Sequence, residues 1–255
     1  MAIHIALAGN PNCGKTTMFN ALTGANQYVG NWPGVTVEKK TGKLKESKTG
    51  EEVNITDLPG IYSLSPYTLE EVVSRDFILN EKPDVIIDLV DATNIERNLY
   101  LTTQLLETGI PVVLALNMAD LMRKNDIRID VEVLSKKLGC PIVETSALRK
   151  TGLKEVVEEA VGAAKKAQEP ELRPIFDNWV ESRVEQIESE LPAGVPEGEK
   201  RWYAIKLLEQ DSKVLEQFGL AAGNRYSKYA GELEKEYDDD AESVITDQRY
   251  QYIQK

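Results

Sequence analysis

At 255 residues, 42% apolar and 28% charged, the chain has the size and composition of a soluble globular protein with one large or two ordinary domains. No apolar run approaches the ~18 residues of a membrane span. Two cysteines, Cys13 and Cys140, argue against a disulfide framework and for a reducing setting, and one histidine, His4, leaves no His/Cys site for a transition metal. The net charge of −12 is uneven: residues 1–167 carry −3 and residues 168–255 carry −9, a sign that repels nucleic acid. The N-terminus has no basic region, so no signal peptide is expected.

Ile3 to Ala8 reads as a buried strand. Gly9-Asn10-Pro11-Asn12-Cys13-Gly14-Lys15-Thr16 follows and matches the phosphate-loop pattern G-x-x-x-x-G-K-[ST]. Thr17 to Leu22 then opens a helix ended by Gly24. In that setting the glycines turn backbone N–H groups toward an anion, and the helix N-terminus adds its positive dipole end. Lys15 would reach the β- and γ-phosphates, and the Thr16 hydroxyl would ligate Mg²⁺. Thr17 joins the nucleotide-binding set.

Ala25 to Val35 reads as a polar loop and Thr36 to Lys45 as an exposed strand with a basic face. Lys48-Thr49-Gly50 reads as a turn and Glu52 to Thr56 as a returning strand, the pair forming the antiparallel edge of an otherwise parallel sheet. A helix over about 69–79, a strand over Val85–Val90, a helix from Asn94 to Thr108 and a strand over Pro111–Leu116 follow. Asp130 caps a helix through Leu138, Pro141–Thr145 is the last strand, and Gly152–Lys166 is an amphipathic helix. This alternation predicts an α/β fold: a P-loop, Ras-like, mostly parallel sheet with helices on both faces.

The pattern changes after residue 167. Gln168 to Pro174 reads as a linker, and beyond it only helical periodicity remains, over 175–190, 200–218, 223–237 and 240–253. The expected division is a nucleotide-binding domain over 1–167 and a small all-α bundle over 168–255, its aromatics serving as core.

Three motifs at strand ends carry the chemistry. Asp57-x-x-Gly60 would hold Mg²⁺ through a water at Asp57 and meet the γ-phosphate with the Gly60 N–H. Asn117-Met118-Ala119-Asp120 reads the base: a carboxylate accepts from guanine N1–H and its 2-amino group, which adenine cannot supply. Ser146-Ala147-Leu148 would complete the pocket with a backbone N–H to guanine O6. Together these predict binding of GTP and GDP, and turnover of GTP to GDP and phosphate. Thr36 is the candidate switch threonine, able to give Mg²⁺ a second hydroxyl. Cys13 is either a thiol activated by the helix N-terminus or a small-residue filler. The position after D-x-x-G is Ile61, which cannot orient water as the glutamine of many GTPases does.

The segments Gly-Asn-Pro-Asn-Cys-Gly-Lys-Thr, Val-Gly-Asn-Trp-Pro-Gly-Val-Thr-Val-Glu, Asp-Leu-Pro-Gly-Ile-Tyr-Ser-Leu and Asn-Met-Ala-Asp together resemble the cytoplasmic part of the ferrous-iron transport protein B family (FeoB). Gln248-Arg249-Tyr250 near the end fits the family's helical domain. The resemblance implies a G domain joined to a helical domain that slows GDP release. It also implies a regulatory role on the cytoplasmic face of the cell membrane, beside the membrane-spanning part of the same transporter, with this fragment itself soluble. It further implies activation by K⁺, with Asn12 and first-switch carbonyls of Gly30-Asn31-Trp32 as ligands; the alternative is that Asn12 only braces the loop. The catalytic set is then Lys15, Thr36, Gly60 and Asn12. Met118 stands where most small GTPases have lysine. A free GTPase of the same group acting on ribosome or tRNA is the alternative, disfavoured by the acidic tail, and self-association is left open.

Overall fold

The computed structural model describes residues 2–44, 52–65, 67–166, 175–221 and 223–255. The turn at Lys48–Gly50 and the linker at Gln168–Pro174 lie outside them. The chain divides into two compact units, Met1–Leu106 with Ile110–Glu171, and Glu107–Gly109 with Leu172–Lys255.

The first unit is a seven-stranded sheet in the order β2-β3-β4-β1-β5-β6-β7. Its parallel part consists of β1 (Ile3–Gly9), β4 (Val53–Asp57), β5 (Val85–Asp91), β6 (Val112–Asn117) and β7 (Ile142–Glu144). The central strands are apolar on both faces because both are covered. Ile5, Leu7, Ile55, Ile87, Leu89, Val113 and Ala115 pack with Met18 and Phe19 of α1 (Lys15–Thr23) and with Val156 and Ala160 of α6 (Leu153–Lys165). Ala6, Ala8, Ile86, Val90, Leu114 and Leu116, on the other face, are buried as well. Each large aliphatic side chain so buried contributes ~1.5–3 kcal/mol, and together they fix the register that brings the strand ends into one row.

The sheet edge differs from the expectation. Gln27–Asn31 is not loop but strand β2, paired antiparallel to β3 (Glu38–Lys43) with Tyr28 opposite Thr41 and Val29 opposite Lys40. Tyr28 and Val29 favour extended backbone, yet both are exposed, so no apolar alternation announced the strand. The antiparallel edge therefore has three members, β2, β3 and β4, with β2 outermost.

The remaining helices of this unit among the described residues are α2 (Leu69–Asp76), α3 (Ile95–Glu107, whose last residue is counted with the second unit), α4 (Ala119–Lys124) and α5 (Val131–Leu138). Thr68 begins α2 with a capping box: its hydroxyl accepts from the Glu71 N–H while the Glu71 carboxylate accepts from the Thr68 N–H. Asp130 caps α5 and Gly139 closes it, as the sequence suggested. A π-helical turn, Phe77–Glu81, extends α2, and the short α4 was not foreseen.

Among the described residues the second unit is all helical: α7 (Asn178–Glu190), α8 (Lys200–Leu208), α9 (Ser212–Gln217), α10 (Ser227–Tyr237) and α11 (Ala241–Ile253). The single helix expected over 200–218 is two. Gln210 takes a left-handed conformation (φ 54°), and Asp211 recaps the chain by accepting from the Val214 N–H. Trp202, Tyr226, Tyr229, Val184, Ile205 and Leu233 fill the core, while Tyr250 is exposed. Two ionic groups are buried with them. Arg201 grips Glu181 through two bonds of 2.7 and 2.8 Å. Arg249 bonds both oxygens of Glu107 and one of Glu209, whose other oxygen takes the Lys206 ammonium. Burial works against the Glu209 charge, but Lys206 and Arg249 hold its carboxyl below the ordinary range.

Candidate nucleotide-binding site

All the sequence-predicted site residues lie in the first unit, and most stand on the loops at the C-terminal ends of β1, β4, β6 and β7. This is the edge at which open α/β sheets take ligands, since the strand-to-helix loops converge there.

Gly9 ends β1, and Asn10 to Gly14 turn the chain into α1, whose first residue is Lys15. Gly14 has φ 98°, and a Cβ there would stand 2.4 Å from Asn117 Nδ2, so both conformation and space demand glycine. Asn12 is exposed and left-handed (φ 66°). Asn10 is buried, with its Nδ2 donating to the Arg97 carbonyl at 3.5 Å. Cys13 is 1% exposed and packs in the apolar core. Burial pushes its thiol up to about 12, outweighing the Lys15 charge and backbone N–H, which favours the small-residue filler over the activated thiol.

Lys15 and Asp57 form a buried ion pair at 3.0 Å. The cation expected at the phosphates and the carboxylate expected at Mg²⁺ are thus adjacent, each facing the charge that a Mg²⁺-nucleotide would present to it. Thr16 and Thr17 stand exposed in the first turn of α1. Threonine hydroxyl and aspartate carboxylate oxygens are hard donors of the kind that suit Mg²⁺ with waters completing its shell.

The D-x-x-G loop is fastened to the phosphate loop. A Cβ on Gly60 would stand 3.1 Å from Pro11 Cα, and the Ile61 N–H donates to the Gly9 carbonyl at 3.3 Å. Ile61 is 2% exposed, a buried apolar side chain with no polar atom to offer a water. Leu64 is pinned from both sides, its N–H donating to Gln104 Oε1 at 2.6 Å and its carbonyl accepting from Arg75. Tyr62 faces outward beneath the Arg97 guanidinium, 4.3 Å from the ring.

On the base side, Asn117 is a hub. Its Nδ2 donates to the Cys13 carbonyl at 2.7 Å, and its Oδ1 accepts from the Ala147 N–H at 3.0 Å and from Thr145 Oγ1 at 3.3 Å. Met118 is left-handed (φ 66°), turning the chain so that Ala119 opens α4. The Ser146 hydroxyl donates to Asp120 Oδ1 at 2.7 Å and holds that carboxyl below its ordinary value, an ionised acceptor at neutral pH. Ala147 is buried, while the Leu148 side chain is 76% exposed. Thr36 lies in the exposed turn between β2 and β3. Among the described residues no hydrogen bond joins it to Lys15, Thr16 or Asp57.

Sequence reasoning did not find Gln104, Arg75 or Arg97 as supports of the second switch loop, since a polar residue on a helix carries no signal of its tertiary partner. It also missed the tie from Asn117 to the phosphate loop.

A mostly parallel sheet with a glycine loop between its central strand and first helix, and with these motifs at neighbouring strand ends, defines a G-domain fold, here followed by a helical unit. The family model for ferrous iron transport protein B matches residues 3–160, and that for the FeoB cytosolic helical domain matches residues 176–255. The chain belongs to the ferrous iron transport protein B family. It is 42% identical to the Fe(2+) transporter FeoB of Shigella flexneri, over 98% of this chain and 32% of that protein. It is 41% identical to the Fe(2+) transport protein A/Fe(2+) transporter FeoB fusion protein of Porphyromonas gingivalis, over 98% of this chain and 31% of that one. The chain therefore spans about a third of the length of these relatives.

Among solved structures, an S. thermophilus NFeoB mutant bound to mGDP superposes with a TM-score of 0.94 at 47% identity, covering 100% of this chain and 97% of that one. NFeoB from S. thermophilus bound to GDP.AlF4- and K+ gives 0.88 at 48% identity, covering 99% and 98%. Among the described residues of this chain no helix is long and apolar enough to cross a membrane.

Proposed function

We propose that this chain binds GTP and GDP with Mg²⁺, hydrolyses GTP to GDP and phosphate, and regulates a membrane Fe²⁺ transporter from its cytoplasmic face. The observation that carries the reading is the Asn117 hub, which joins the phosphate loop and the Ser146-Ala147 turn beside an ionised Asp120. The likeness to FeoB proteins supports the transporter context, with the membrane-spanning part as partner. Both matching family models concern ferrous iron transport, so a free GTPase acting on ribosome or tRNA is not favoured.

In this reading backbone N–H groups of Gly9 to Thr17 bind the phosphates and Lys15 moves from Asp57 to the β- and γ-oxygens. Asp120 accepts from the base, the Ala147 N–H turns from Asn117 Oδ1 to guanine O6, and Met118 and Leu148 flank the base. Thr16, Thr36 and Asp57 (through water) would hold Mg²⁺, and the Gly60 N–H would meet the γ-phosphate. Asn12, exposed and left-handed at the loop's tip, would offer its carbonyl oxygen to K⁺. A K⁺ ion there would neutralise charge developing between the β- and γ-phosphates, a part for which Ile61 is unsuited. That a relative is solved with GDP.AlF4- and K+ supports this. The domains divide near residue 167, and the helical one acts as a brake on GDP release.

The test is GTP hydrolysis in K⁺ and in Na⁺. The expected result is a rate well above that in Na⁺, with Asn12→Ala abolishing the difference while GDP binding is retained. Equal rates would overturn the K⁺ assignment.

A further inference from the structure

The first-switch turn is largely in solvent: Asn31, Pro33, Gly34 and Thr36 are exposed. Trp32 turns inward and is 7% exposed. Its ring meets Phe77 edge to face, with centroids 5.4 Å apart and planes at 71°. The Lys39 ammonium, carried on β3, stands 4.4 Å over the indole. Phe77 opens the π-helical turn that directly follows α2, the helix after the D-x-x-G loop. Such turns recur at functional sites because their extra residue breaks the regular ladder.

Among the described residues the indole Nε1 is buried without an acceptor. A buried unpaired donor is unfavourable, and phenylalanine would give a similar apolar contact without one, so stability alone does not account for tryptophan here. Tryptophan does offer the best ring face to a cation. The same residue also closes the turn through its backbone. Its N–H donates to the Val37 carbonyl at 2.9 Å, and its carbonyl accepts from the Val35 N–H at 3.3 Å. Thr36 lies inside that closed turn.

We infer that Trp32 is a positioning residue for GTP hydrolysis. Its seat between Phe77 and Lys39 fixes the turn that carries Thr36 and ties the first switch to the end of α2. The role rests on the proposed reading of Thr36 as the switch threonine. The seat uses no side chain assigned to the phosphates, the base or K⁺, so its loss acts on hydrolysis and not on GDP retention.

The experiment compares single-turnover GTP hydrolysis and GDP dissociation in the full chain for Thr36→Ala, Phe77→Ala, Trp32→Ala, Trp32→Phe and the Phe77→Ala/Trp32→Ala double variant. Each single alanine at the seat should lower the hydrolysis rate ~3- to 10-fold, the range of a desolvated aromatic and cation–ring contact. The double variant should be no slower than the slower single, Trp32→Phe should recover part of the rate but stay below wild type because its ring offers Lys39 a weaker face, and GDP dissociation should not move. If Trp32→Ala fails to fold, Phe77→Ala and Lys39→Gln, at partly exposed positions, carry the test, with a smaller loss expected for Lys39→Gln. An unchanged or faster rate in Phe77→Ala, with Thr36→Ala impaired, would overturn the role of Trp32 alone; so would fully additive losses. A Thr36→Ala variant that hydrolyses normally would overturn the Thr36 reading and this role with it.

Discussion

The side-chain amide of Asn117 donates to the Cys13 carbonyl at 2.7 Å, so the motif expected to read the base also holds the phosphate loop in place. Asn117→Ala would strip a partner from the Cys13 carbonyl, the Ala147 N–H and the Thr145 hydroxyl together. With each buried orphan worth ~1–3 kcal/mol, GDP affinity should fall at least ~10-fold and the melting temperature should drop. Fluorescent-GDP titration checks this; an affinity equal to wild type would refute the hub.

Asp88 on β5 gives a pH-dependent prediction. Burial pushes its carboxyl up to about 7 from 3.8, and the Thr102 hydroxyl at 2.5 Å offsets only part of that. Because the folded state binds the proton more tightly, the stabilisation is complete below pH 3.8 and is lost as pH rises through about 7. Asp88→Asn should therefore match wild type near pH 4 and exceed it at pH 7–8 by up to ~4 kcal/mol. Denaturant melts across that range check the sign; a variant less stable at pH 8 would contradict it.

Cys13 should be inert in the folded protein. With its thiol pushed up to about 12 and 1% exposed, neutral alkylating reagents should leave it unmodified until the chain is unfolded. Peptide mapping after native alkylation reads this directly, and stoichiometric labelling of Cys13 at neutral pH would contradict the burial.

In the helical unit, Arg249 is 1% exposed and satisfies two carboxylates, Glu107 and Glu209. Arg249→Ala leaves Glu107 buried without its guanidinium partner and should destabilise this unit by ~3–5 kcal/mol. Pairing Arg249→Met with Glu107→Gln should recover part of the loss. Urea unfolding followed by tryptophan emission distinguishes the cases, and an unaltered midpoint in Arg249→Ala would rule out the network's role.

Much of this was legible in the sequence, because local chemistry and tertiary demand agreed. Gly9 to Thr16 sits between an apolar run and a helix opening, and Asp130 and Gly139 bracket a helix. What escaped depended on partners distant in the chain. Strand β2 exists because β3 lies beside it; exposed Tyr28 and Val29 gave no periodic signal. The helix over 200–218 kept its periodicity across Gln210, whose left-handed turn is set by recapping at Asp211. Trp32 sits among polar switch residues, and only Phe77, forty-five positions on, makes it a buried one. The ion pair between Lys15 and Asp57 likewise joins two residues that the motifs assigned separate tasks.

The central claim is that Asp120, ionised and oriented by Ser146, selects guanine. Competition titration against Mg²⁺-GDP tests it most directly. GTP should displace the probe, ATP should do so orders of magnitude more weakly, and Asp120→Asn should shift preference to xanthosine nucleotides, whose 2-oxo group accepts where guanine's amino group donates. Equal displacement by ATP and GTP, or an Asp120→Asn variant that keeps its preference for GTP, would contradict the account.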